Sequence, residues 1–259
     1  MQQPQLVRLE SVGSVRTLTL NRPERRNAII PEMIDRIWET LDQLEADPSA
    51  RVLVLRGEGS AFCTGADISW MQQSGERGSL PSGPHDFAQL LRRLSGFPKP
   101  TIARVHGVTV GGGCGLAAVC DLVVASTSAT FALSEVKLGL VPAMISPYLI
   151  QRMGPIHARD CFITGRRFDG VEAVRLGLAD RCVDDAQLDT VIDELAEQLI
   201  GSGPQAIGLC KELCAAIPSM SATEVDAYTV SVIEQAKASP EGQEGMIAFL
   251  EKRKPSWAS

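Results

Sequence analysis

A mixed α/β core closed by an all-helical tail is the fold class the sequence predicts, and three observations predict it. Short runs of β-branched and aliphatic residues alternate with segments whose apolar residues recur every three or four positions. Two passages from a strand-like run to a helix-like segment pass through glycine-rich loops. From Pro204 onward the pattern is helical only. The 259 residues, 44% hydrophobic and 22% charged, suit one large domain or a domain with a small appendage, at about 100 to 200 residues per domain. That composition excludes a disordered, collagenous or coiled-coil chain.

Residues 14–21 (SVRTLTLN) form the first predicted strand, rich in β-branched residues and stopped by Arg22-Pro23. A helix starts at Pro31, a residue suited to a first helical position, and Ile34, Ile37, Leu41 and Leu44 recur on one face until Asp47-Pro48. The run 51–56 (RVLVLR) is a strand, and FCTGAD leads from it into a helix at ISWMQ. Residues 74–84 (SGERGSLPSGP) carry turn formers without periodicity and read as a mobile excursion that could cover a site. Phe87, Leu90, Leu91 and Leu94 stripe a second amphipathic helix. TIARVHG is then a strand, and VTVGGGCGLAAVC a second glycine-rich entry into a helix. DLVVAS and TFALSE are further strands, and small helices follow with breaks at Gly154, Gly165 and Gly177. The tail reads as three helices, PQAIGLCKELCAAI, SATEVDAYTVSVIEQAKA and EGQEGMIAFLEKRK, the last with a basic final turn. At roughly 55 residues the tail is marginal alone, so it is expected to pack on the core or on another subunit.

Twenty-five Lys and Arg against thirty-one Asp and Glu give a net charge of −6, which does not suit a surface made to neutralise nucleic-acid phosphates. The start, MQQPQLVRLE, lacks the apolar run of a signal peptide, and no stretch approaches about 18 apolar residues. A cytoplasmic protein with neither a nucleic-acid nor a membrane partner is expected. Seven cysteines without a CxxC pair argue against a disulfide framework and a zinc site. Cys63 and Cys114 flank the two glycine loops, where inert filler is the reading for small buried thiols lacking an activating base. His85, His106 and His157 show no HExxH spacing, so no metal is expected.

The cluster Gly111 to Gly115 is neither a GxGxxG fingerprint nor a P-loop, and by itself reads equally as close helix-to-sheet packing. Its position after a strand, at a helix start, aims unpaired N–H groups at one point where glycine lets a ligand approach. FCTGAD repeats that geometry at Gly65 and Ala66. Two converging N–H donors are a standard way to hold an enolate or tetrahedral oxyanion, each worth about 3 to 4 kcal/mol of barrier.

Three stretches carry a resemblance: GSAFCTGADISWM, KPTIARVHGVTVGGGCGLAAVCDLVVAS and TFALSEVKLGLVP. In this order and at these separations they resemble the linked signatures of the enoyl-CoA hydratase/isomerase (crotonase) family, and LNRPERRNAI and EGMIAFLEKRKPSW are similar to its ends. The resemblance implies a spiral of ββα units over residues 1–200, a C-terminal helical trimerisation region over 201–259, and homotrimers or dimers of trimers. It also implies a CoA thioester as substrate with no permanently bound cofactor, its carbonyl held by the N–H groups of Ala66 and Gly112.

Family hydratases use two glutamates, and here the first position is Gly115 while the second is present as Glu135. Taken alone, Glu135 reads as a solvated glutamate or a helix cap; the aligned signature makes it the main catalytic residue. General acid–base help of this kind is worth about two to four orders of magnitude. Ser134 beside it reads either as a water holder or as a local backbone partner. The glycine at 115, with LSEVKLGLVPAMISPYL, resembles a bacterial branch of 3-methylglutaconyl-CoA and isohexenylglutaconyl-CoA hydratases, from leucine and acyclic-terpene degradation. The expectation is that Glu135 alone handles the proton, and that a substrate carboxylate or water fills a vacancy near Gly115.

For CoA contacts the resemblance points to Arg25, Arg26 and Ala28, to Ala66, Asp67 and Ile68, and to Phe249 and Lys252, the last two acting from a neighbouring subunit. Taken as charge runs, RPERR and EKRK read as solvated faces. Trp70, Gly115, Ser134 and Val141 are expected to line the acyl pocket, although Trp70 and Met71 read equally as core. Isomerase, hydrolase, decarboxylase and dehalogenase chemistry on the same cradle stays open, as does a CoA-binding protein without catalysis.

Overall fold

A computed structural model describes residues 5–74 and 85–258. The excursion expected at 74–84 falls, apart from Ser74, outside the described residues. Ten strands and ten α-helices are described in chain order. The strands are β1 Val7–Val12, β2 Val15–Leu20, β3 Val52–Gly57, β4 Ala61–Cys63, β5 Thr101–Val105, β6 Val108–Val110, β7 Leu122–Ser126, β8 Thr130–Ala132, β9 Arg167–Asp169 and β10 Arg181–Val183. The helices are α1 Pro31–Ala46, α2 Ile68–Ser74, α3 Phe87–Ser95, α4 Gly112–Ala118, α5 Ser146–Thr164, α6 Gly170–Arg175, α7 Leu188–Ile200, α8 Pro204–Ala216, α9 Ala222–Ala238 and α10 Pro240–Leu250.

The strands form two sheets, one ordered β1-β2-β3-β5-β7-β10 and the other β4-β6-β8-β9. Each turn of the chain adds a parallel strand to the large sheet (β3, β5, β7), then a short parallel strand to the small one (β4, β6, β8), and then a helix. This is the spiral of ββα units expected from the resemblance. An antiparallel pair ends each sheet at one edge, β1 with β2 in the large sheet and β8 with β9 in the small one.

The apolar stripe of α1 is buried as its periodicity predicts, with Met33, Ile34, Ile37, Leu41 and Leu44 facing the core. Burial of each such side chain is worth about 1.5 to 3 kcal/mol. Asp86 caps α3 in a reciprocal capping box with Gln89. The sequence reading missed β1, β9 and β10, and it ran β4 and β6 into the glycine loops because three-residue strands are too short to show alternation. It also extended the last helix too far. The chain leaves α10 at Leu250, Lys252 takes a left-handed φ of 55°, and Arg253 turns back to Glu244 at 2.7 Å, so EKRK lies beyond the helix.

The tail packs on the core through named polar ties. Arg51 donates to the carbonyls of Ile200, Ser202 and Trp257 and Lys211 pairs with Asp121 at 2.7 Å, while within the tail Trp257 Nε1 reaches the Gly201 carbonyl. Among the described residues no helix is long and apolar enough to cross a membrane.

Candidate active site

Two glycine turns, one from each of two successive spiral units, meet in the middle of the chain. Gly65 follows β4 with φ 80°, and Gly111 follows β6 with φ 54°, conformations that favour glycine. They are in contact: a Cβ on Gly65 would lie 2.9 Å from the Gly112 nitrogen, and one on Gly112 would lie 3.3 Å from the Gly65 Cα. Among the described residues, neither the Ala66 nor the Gly112 N–H donates to any protein acceptor. Ala66 itself is exposed. α4 has only seven residues, so the site rests on these individual N–H groups and not on a helix dipole.

The first turn is held from outside by the NRPERRNA segment. Ile29 N–H donates to the Gly65 carbonyl at 2.7 Å, Asp67 N–H to the Ile29 carbonyl at 3.0 Å, and Thr64 N–H to the Arg26 carbonyl at 3.2 Å. Asn27, fully buried, donates to the carbonyls of Glu58, Ala61 and Phe62 and accepts from Arg22 N–H. Arg22 pairs with Asp67 at 3.2 Å and donates to the Ala28 carbonyl at 2.5 Å. Burial raises the pKa of Asp67, but hydrogen bonds from Trp70 N–H, Ser69 N–H and Arg22 together outweigh it and hold the carboxyl below its ordinary value.

Glu135 opens a 3-10 turn, Glu135–Leu138, directly after β8. Its carboxylate rests on the second glycine turn, where a Cβ on Gly111 would lie 2.9 Å from Oε1. Oε2 is buried and has no hydrogen-bond partner among the described residues. Burial pushes the Glu135 carboxyl above its ordinary value, opposed only by its own backbone N–H. A carboxyl held this way is suited to carrying a proton.

The structure thus brings Ala66, Asp67, Ala28, Gly112 and Glu135 together around the paired turns. Arg25 and Arg26 are exposed beside the first turn, Ile68 is exposed at the start of α2, and Trp70 is half-buried one residue beyond Ser69. Ser134 is half-buried at the head of the 3-10 turn, and its carbonyl accepts from Lys137 N–H. Val141 stands at the surface, 73% exposed. Phe249 and Lys252 are exposed at the end of α10, which packs on α8 and α9.

The vacancy expected near Gly115 is not there. A Cβ on Gly115 would lie 2.9 Å from Ile145 Cβ and nearer still to its Cγ2 methyl, so this part of the site is filled by an apolar side chain. Sequence reasoning passed over four residues that shape the site: Arg22, Asn27, Ile145 and Phe87, whose ring would meet a Cβ on Gly112 at 3.2 Å. Arg22 opens a charge run that reads as solvated, and Asn27 directly follows that run. The last two are apolar residues that nothing in the local pattern separates from core.

The cysteines beside the turns are not activated. Burial pushes the Cys63 thiol up to about 12 and the Cys114 thiol well above its usual value, and both donate to backbone carbonyls. No cluster of His, Cys, Asp or Glu among the described residues could hold a metal ion.

A ββα spiral with the Glu135 carboxylate set against two touching glycine turns defines the class of this chain: it belongs to the enoyl-CoA hydratase/isomerase family, whose model matches residues 10–259. A Thermus thermophilus protein provisionally named as an enoyl-CoA hydratase is 38% identical over 247 residues, covering 94% of this chain and 97% of its own. The carnitinyl-CoA dehydratase of Proteus mirabilis is 34% identical, covering 98% of each chain. Among solved structures, Pseudomonas aeruginosa AtuE is similar with a TM-score of 0.90 and 36% identity, covering 98% of this chain and all of the other. The chain is accordingly a hydratase-type enzyme.

Proposed function

We propose that the chain adds water reversibly across the α,β double bond of an enoyl-CoA, with Glu135 as the acid–base group and the Ala66 and Gly112 N–H groups as the oxyanion donors. The observation that carries this reading is the buried, unpartnered Oε2 of Glu135 beside the turn that supplies the Gly112 donor. Glu135 takes a proton from water as the water oxygen bonds to the β-carbon. The electron pair of the double bond moves onto the thioester oxygen, where the two N–H groups meet the developing charge. Glu135 then returns its proton to the α-carbon, so one carboxyl serves both transfers.

Within this reading the substrate is a glutaconyl-type thioester, 3-methylglutaconyl- or isohexenylglutaconyl-CoA. Support comes from the motif departures at Gly115 and in LSEVKLGLVPAMISPYL. Arg25 and Arg26, exposed beside the first turn, are offered to the CoA phosphates. Trp70, Ser134 and Val141 belong to the acyl pocket in this proposal. The tail's exposed Val230, Ile233, Met246, Ile247, Phe249 and Leu250 support the division at residue 200 and a homotrimer or paired trimers, with Phe249 and Lys252 offered to a neighbouring subunit's CoA.

Product analysis by mass spectrometry on crotonyl-CoA, 3-methylglutaconyl-CoA and an isohexenyl analogue tests this. Hydration confined to the diacid thioesters is expected, with kcat falling by about two to four orders of magnitude in Glu135→Gln. A Glu135→Gln enzyme of undiminished kcat removes the mechanism, and equal hydration of crotonyl-CoA removes the substrate.

A further inference from the structure

Gly111, the N-cap of α4, and Gly115, within the helix, are joined by a hydrogen bond, Gly115 N–H to the Gly111 carbonyl at 3.2 Å. The two positions meet different partners. Gly111 faces the Glu135 carboxylate, and Gly115 faces Ile145, a buried residue just ahead of α5. Leu91 of α3 also reaches position 115, 3.8 Å from where its Cβ would stand. The carboxylate thus faces the N-cap position of this short helix, and the branched side chain faces a position within it.

We infer that Ile145 is a positioning residue for this reaction: by filling the place that a side chain at 115 would take, it leaves Glu135 neither a second acid–base group nor a held water on the α4 side. The inference rests on the reading of Glu135 as the acid–base group. Its physical basis is that a β-branched side chain is stiff and that an apolar wall beside a carboxylate removes the water that would solvate its charge. The other ionisable groups nearby are the Cys114 thiol on α4 and Lys137 in the same 3-10 turn, whose stem packs towards Gly165. Neither supplies Glu135 with a hydrogen bond. The reacting water consequently comes from the substrate side of the carboxylate.

The test is a 13C NMR titration of the Glu135 carboxyl in the unliganded enzyme, with pH profiles of kcat, for wild type, Ile145→Val and Ile145→Ala. In Ile145→Ala the carboxyl is expected to titrate lower, towards the ordinary glutamate value, as water enters. The acidic limb of kcat moves the same way, and kcat drops between about ten- and a hundred-fold with KM unchanged. Ile145→Val restores both. An Ile145→Ala enzyme whose carboxyl and acidic limb titrate as in wild type overturns the inference, whereas loss of the Glu135 reading itself shows separately as an active Glu135→Gln.

Thermal melts give a second arm that needs no turnover. The loss in Gly115→Ala/Ile145→Ala is expected to be smaller than the sum of the two single losses, because each single change is felt by the same contact. Simple additivity overturns the claim that Ile145 occupies this space.

Discussion

Glu135 lies against Gly111, its Oε1 2.9 Å from where a Cβ would stand, so the acidic group and the second glycine turn share one small volume. A side chain at 111 and this carboxylate cannot occupy their present places together. The residue after Gly111 carries one of the two N–H groups that meet no protein acceptor among the described residues, so a displaced carboxylate and a disturbed N–H go together.

Removing the charge at Glu135 should make the protein more stable above acidic pH. Burial raises this carboxyl's pKa in the folded chain, so the folded state holds a proton that the unfolded chain releases, and stability falls as pH rises through the raised value. Glu135→Gln escapes that loss. Its melting temperature is expected to exceed that of wild type at pH 8, with the gap closing below the ordinary glutamate value of about 4.3. Differential scanning calorimetry across that range checks it; a gap that widens on acidification contradicts the burial.

Arg22 should matter more than its exposed neighbours. It ties Asp67 to the Ala28 carbonyl, so Arg22→Ala is expected to cost about 1 to 3 kcal/mol at pH 7 and to raise KM for the acyl-CoA. The Asp67 pKa is lowered in the folded chain, so the pair's contribution is present above the ordinary aspartate value, about 3.9, and is lost as pH falls through the lowered one. Urea melts of wild type and Arg22→Ala should therefore converge in acid. Arg25→Ala is expected to leave stability unchanged.

Cutting the tie at Arg51 should loosen the tail. Three carbonyls, on both sides of the helical region, depend on this guanidinium. In Arg51→Ala, hydrogen exchange should quicken across residues 201–258 while β3, β5 and β7 keep wild-type protection. Uniform quickening throughout the chain would show that the tie holds the core and not the tail.

Much of this arrangement was legible from local pattern. The stripe of α1 appears as Ile34, Ile37, Leu41 and Leu44, and the two glycine loops announce turns at strand-to-helix passages. Glu135 drew its significance from a family signature, since a single glutamate after a strand carries no distinguishing local signal. The short strands β4, β6, β9 and β10 were less legible, because three residues barely display a period.

By itself the sequence determined the apolar stripes of α1 and α3 and the two turns where glycine must stand, because each depends on near neighbours in the chain. Only the tertiary structure decided that Gly65 touches Gly112, that Arg22 rather than Arg25 or Arg26 grips Asp67, and that Ile145 fills the space beside Gly115. Those contacts join residues 30 to 47 positions apart, and the intervening chain allows many alternatives until the two sheets stack and the core closes around them.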